Sequence, residues 1–126
     1  MPYPLALALT LLVEVPLYTA ALTCTAAVTA PVPVGPAAKA ARVVLAGAAV
    51  NLVTHPVLWW LLRQAADGPA AAYWTAFALA ETSVCLVEAG LLAVLLRPSR
   101  PPLPLLGAAA LTANAGSVLV GLLASG

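Results

Sequence analysis

The stretch 71–96, AAYWTAFALAETSVCLVEAGLLAVLL, is long and apolar enough to cross a bilayer, yet it carries two glutamates, Glu81 and Glu88. The chain has four acidic residues, and three of them, Glu14, Glu81 and Glu88, lie inside apolar runs; only Asp67 falls in an obvious loop. A carboxylate at the bilayer centre costs about 2.5–3.5 kcal/mol on insertion scales. A sequence so sparing with charge that places most of its acid there points to an enclosed polar site.

Punctuation on either side of this stretch defines the other spans. RPSRPPLP (97–104) separates it from an apolar run at about 103–124, and RQAADGPA (63–70) from one at about 38–62. A further run at about 5–29 ends at APVPVGP (30–36), which cannot continue a helix because proline lacks the N–H and fixes φ. Val28-Thr29-Ala30 faintly resembles a signal-peptidase site, but no basic segment precedes the run, and the run exceeds the usual apolar core of a leader, so it is read as a retained span. Twenty residues at about 1.5 Å rise cross a core of about 30 Å, and each run reaches that length. No period-2 alternation supports a barrel. The expected fold is all-α: an integral membrane four-helix bundle over residues 1–126 as one polytopic domain, with both termini outside and two spans kinked at Pro16 and Pro56.

Composition agrees. Of 126 residues, 63% are hydrophobic and 7% charged, with mean hydropathy +1.06. A soluble domain runs at about 25% charged. The net charge of +1 leaves no basic face for nucleic acid. Cys24 and Cys85 lie in apolar runs with no CxxC, so they read as small buried hydrophobes.

Orientation follows from Lys39 and Arg42 beside the first connection and Arg97 and Arg100 in the third. These place both connections in the cytoplasm, and Tyr3, Trp59, Trp60, Tyr73 and Trp74 then fall at the outer interface that such rings favour. The expected location is the plasma (inner) membrane, with the lipid bilayer as the first partner.

Counting from the span midpoints, Glu14, Asn51, His55, Glu81, Asn114 and Ser117 come within roughly 6 Å of the bilayer centre, at or just outside it. Glu88 falls about 7 Å to the inner side and about 10 Å from Glu81 along the axis. Glu88 therefore reads as an inner station on a path, with Arg42 as a candidate partner. Asn51 and His55 share a face of the second span, as Asn114 and Ser117 do on the fourth. Thr10, Glu14, Tyr18 and Thr25 form a stripe on the first; Trp74, Glu81, Cys85 and Glu88 form one on the third. Gly107, Ala110 and Gly121 extend the fourth-span stripe with small residues that allow close approach. Pro16 and Pro56 free the carbonyls of Leu12 and Leu52, which are expected near the polar level.

The Ala/Leu-rich residues leading into Glu14-Val15, with four spans in a chain of this length, resemble the small multidrug resistance transporters. The resemblance covers about the first 20 residues. In that family the first-span glutamate carries protons and cationic drugs within a dimer. The resemblance implies a similar layout only, because His55-Pro56, Glu81 and Glu88 depart from the family pattern, and no site is carried over.

The leading expectation is proton- or cation-linked transport of a small solute or ion. The proton or substrate site would comprise Glu14, His55, Glu81 and Glu88, supported by Asn51, Asn114, Ser117 and Tyr18. Four spans enclose little volume, so a homodimer is expected. The alternatives are a membrane-embedded enzyme, with Glu14, His55 and Glu81 as an acid–base group or metal ligands, or an accessory subunit of a membrane complex. Sequence names no cofactor and no metal.

Overall fold

The computed structural model describes residues 2–25, 35–97 and 101–125. Four helices follow one another: α1 Tyr3–Thr25, α2 Pro36–Ala65, α3 Ala70–Leu95 and α4 Leu103–Ser125. All four are long and apolar enough to cross a membrane, and no strand occurs among the described residues. Each helix packs on its two neighbours, and α1 also closes on α4, giving an up-and-down four-helix bundle.

The spans match the sequence reading in number and order and differ at their ends. α2 begins with Pro36 in its first turn, where the missing N–H costs nothing, and continues through Arg63, Gln64 and Ala65, three good helix formers. Gly68-Pro69 then turns the chain into α3, with the Gly68 N–H donating to the Ala65 carbonyl. α1 is described as far as Thr25, and residues 26–29 of the expected span lie outside the described residues. Residues 26–34, which hold Val28-Thr29-Ala30 and most of the proline linker, and 98–100, which hold Arg100, lie outside the described residues.

The interior is divided along its length. Toward the end that carries the α1–α2 and α3–α4 connections, Leu22, Val43, Ala46, Val50, Leu92, Leu96, Leu106 and Ala109 are all buried and form a dry apolar plug. At this end Lys39 Nζ donates to the Thr23 carbonyl (3.3 Å) and Arg42 Nη2 to the Arg97 carbonyl (2.8 Å). Both cations meet the carbonyl ends of helices, where positive charge is favoured. The opposite end is aromatic: Tyr3 stacks on His55 at 5.9 Å and meets Trp59 at 5.7 Å, and Tyr73, Trp74 and Phe77 cluster on α3.

The outer surface of the bundle is apolar, as lipid contact requires; Leu12 is 71% exposed and Leu86 72%. α1 and α2 run without interruption across Pro16 and Pro56. Both prolines are exposed, and so are Leu12 and Leu52, whose carbonyls they free. The freed carbonyls therefore lie on the lipid side and do not join the polar level. The reason is registry: each proline stands four residues from its leucine, on the face that Glu14 and Thr54 turn away from.

Two glycines set how closely helices approach. A Cβ on Gly116 would lie 2.9 Å from Leu17 Cδ1 and 3.4 Å from Val13 Cγ1, so α4 meets α1 there almost backbone to side chain. A Cβ on Gly47 would lie 3.2 Å from Tyr18 Cδ2, so Gly47 makes room for the phenol ring.

Candidate functional site

Helix direction decides which polar groups meet. Side chains lean toward the N-terminus of their own helix. On α1 and α3 that is the aromatic end, and on α2 and α4 it is the plug end. Glu14 and Glu88 thus lean toward the aromatic end, while Thr54 and Ser117 lean down to meet them. This lean brings Glu88 from its expected inner station into the central cluster.

Glu88 is 1% exposed and fully engaged. Its Oε2 accepts from the Tyr18 hydroxyl at 2.6 Å and from Asn114 Nδ2 at 2.5 Å, and its Oε1 accepts from Thr54 Oγ1 at 2.8 Å. The donors come from α1, α4 and α2, so one carboxylate ties all three other helices to α3. The role foreseen for Arg42 falls to these neutral donors.

Glu14, also 1% exposed, is only half engaged. Ser117 Oγ donates to its Oε1 at 2.5 Å, and Oε2 has no partner. Asn51 stands close by on α2; one hydrogen of its Nδ2 goes to the Gly47 carbonyl at 3.0 Å, and the second is free to serve Glu14. His55 is in a similar position: Nδ1 faces Thr10 Oγ1 at 3.5 Å, and Nε2 is buried without a partner.

Both unpartnered atoms belong to residues lining one cavity of about 170 Å³, together with Asn51, Thr54, Phe77, Glu81, Glu88, Asn114 and Ser117. The lining continues through Ala6, Trp59, Leu62 and Gly121 toward the aromatic end. The plug closes the other end. Glu81 is half-buried and lines this cavity as well as a groove between α3 and α4, shared with Cys85, Gly107 and Leu111.

All four ionisable residues foreseen from sequence therefore line a single cavity, with Asn51, Asn114 and Ser117; Tyr18 stands beneath it, bonded to Glu88. Trp74, placed on the inward stripe of α3, is instead 54% exposed. Thr54 was missed, although the sequence held a signal for it. Asn51-x-x-Thr54 on α2 repeats as Asn114-x-x-Ser117 on α4, and the odd-numbered helices carry the glutamates. The bonds cross over: Thr54 of the α1–α2 hairpin reaches Glu88 of α3–α4, and Ser117 of α3–α4 reaches Glu14 of α1–α2.

Among the described residues, no three His, Cys, Asp or Glu side chains are grouped so that they could hold a metal ion. Glu14, His55 and Glu81 share the cavity but do not converge on one point within it. Compared with protein-family models, curated proteins and solved structures, the chain matches none, so the likeness of its first 20 residues to the small multidrug resistance transporters is one of layout alone.

Proposed function

We propose that this multi-pass membrane protein is a proton- or cation-linked carrier of a small solute or ion. Its exchange site is Glu14 with His55 and Glu81, and it resides in the plasma (inner) membrane. The observation that supports this reading is the pair of unpartnered buried atoms, Glu14 Oε2 and His55 Nε2, in two residues that line one cavity. A buried polar atom left without a partner is costly, and something that binds there removes the cost. Intramembrane carboxylates and imidazoles lining a wet cavity are the usual equipment of proton and ion pathways. The cavity leads to one end and the plug stops it at the other, which corresponds to one of the two states that alternating access needs. One chain supplies every residue of this site, so the site itself does not call for a homodimer.

The test is reconstitution of the full chain into lipid vesicles loaded with a pH-sensitive dye. An imposed gradient of protons, monovalent cations or a panel of small solutes is expected to drive flux. Glu14→Gln is expected to abolish that flux while the protein inserts normally. Vesicles that stay tight under every gradient would sink the reading. Among the described residues no ligand group supports the metal-dependent enzyme reading, and no observation favours the accessory-subunit reading.

A further inference from the structure

We propose that Glu88 is a second proton-binding site beside Glu14, and that Asn114 links the two. The inference deepens the carrier reading and rests on it for the use to which the protons are put.

The argument begins with counting hydrogens. A hydroxyl donates one hydrogen bond at a time. Thr54 Oγ1 nevertheless has two acceptors in reach, Glu88 Oε1 at 2.8 Å and the Val50 carbonyl at 3.0 Å. Ser117 Oγ likewise has Glu14 Oε1 at 2.5 Å and the Asn114 carbonyl at 3.0 Å. Thr19, Thr75, Thr82, Ser83 and Thr112 each donate to a carbonyl one turn back, and none of these reaches a carboxylate. Thr54 and Ser117 are therefore set apart by the same double arrangement, at matching positions of the Asn-x-x-Ser/Thr repeat.

This arrangement accepts a proton without moving a heavy atom. With Glu88 ionised, Thr54 donates to Oε1. When a proton from cavity water binds Oε1, the acid O–H donates to Thr54 Oγ1, and the Thr54 hydrogen swings to the Val50 carbonyl. Oε2 keeps Tyr18 and Asn114 as donors in both states. Glu14 Oε1 and Ser117 do the same against the Asn114 carbonyl, and Glu14 keeps in addition an unpartnered oxygen, Oε2. Asn114 joins the sites, since its amide holds Glu88 and its carbonyl is the resting acceptor for Ser117. The titratable groups facing the pair are Tyr18 on α1, His55 on α2, and Glu81 and Cys85 on α3; the face that α4 turns inward presents Asn114 and Ser117 and no charge.

Infrared difference spectroscopy on the full chain in lipid vesicles tests this. Acidification is expected to raise separate carboxylic acid bands, one lost in Glu14→Gln and another lost in Glu88→Gln. Thr54→Val should move only the Glu88 band to higher frequency, and Thr54→Ser should return it; Ser117→Ala should move only the Glu14 band. If Thr54→Val shifts nothing, or Glu88→Gln leaves every acid band in place, the second site does not exist. Should Glu88→Gln fail to insert, Thr54→Val decides alone. Both bands in vesicles that carry no flux would uphold the paired sites and overturn the carrier reading. Flux without a Glu88 band would do the reverse.

Discussion

Tyr18 and Glu88, 70 residues apart on the diagonally placed α1 and α3, are joined by a 2.6 Å hydrogen bond beneath the cavity. Tyr18 is fully buried, and Gly47 on α2 gives its ring the space to reach across. The bond lies where the apolar plug meets the polar chamber, and it holds both at once.

Tyr18→Phe keeps the ring and removes only this donor. Interhelical hydrogen bonds in membranes are worth about 1–2 kcal/mol in model peptides and about 0.6 kcal/mol on average in a folded membrane protein. A loss of stability of about 1 kcal/mol is expected, read as a lower midpoint of thermal unfolding in detergent.

Gly47→Ala should act through the same residue. The new methyl meets a ring carbon at 3.2 Å, and an aromatic ring held on both sides cannot give way as a chain end can. The substitution is expected to push Tyr18 off Glu88. Combined with Tyr18→Phe, it should then cost less than the sum of the two single changes, since coupled neighbours are not additive. Strict additivity in the double-mutant cycle would refute the coupling.

Gly116 offers a contrast. The atom nearest its would-be Cβ is the free end of Leu17, which can rotate away. Gly116→Ala is expected to be nearly neutral, while Gly116→Val, with two further methyls against α1, should cost about 1–3 kcal/mol as an overpacked contact. The same unfolding assay ranks the two.

Orientation can be read chemically. With Cys24→Ala and Cys85→Ala in the background, Gly68→Cys puts a single thiol in the turn between α2 and α3. An impermeant maleimide is expected to label it on intact cells. Labelling only after the cells are opened would invert the topology read from the basic connections.

Much of this arrangement was legible in the sequence, for a physical reason. Apolar runs punctuated by prolines leave a chain in lipid little choice but helices, because every backbone N–H and C=O must be satisfied within the segment. Polar residues that recur on one face of each helix must then turn inward, and Glu14, Asn51, His55, Glu81, Glu88, Asn114 and Ser117 all do so. What could not be read was side-chain lean. A count of Cα heights put Glu88 a full station away from the others, yet a glutamate leaning one way and a threonine on an antiparallel helix leaning the other close most of that gap. Thr54 was overlooked because a lone threonine in a helix commonly bonds its own backbone. Its significance came only from its pairing with Ser117 in the opposite hairpin.

The dry plug also has an electrical meaning. Where water enters from one side and stops, a transmembrane voltage falls mainly across what stays dry, here the layer built from Leu22, Val43, Val50, Leu92, Leu96 and Leu106. On the carrier reading, a charge reaching Glu14 through the chamber has crossed little of that drop, and the passage beyond it meets nearly all of it, about 2.3 kcal/mol per elementary charge for each 100 mV.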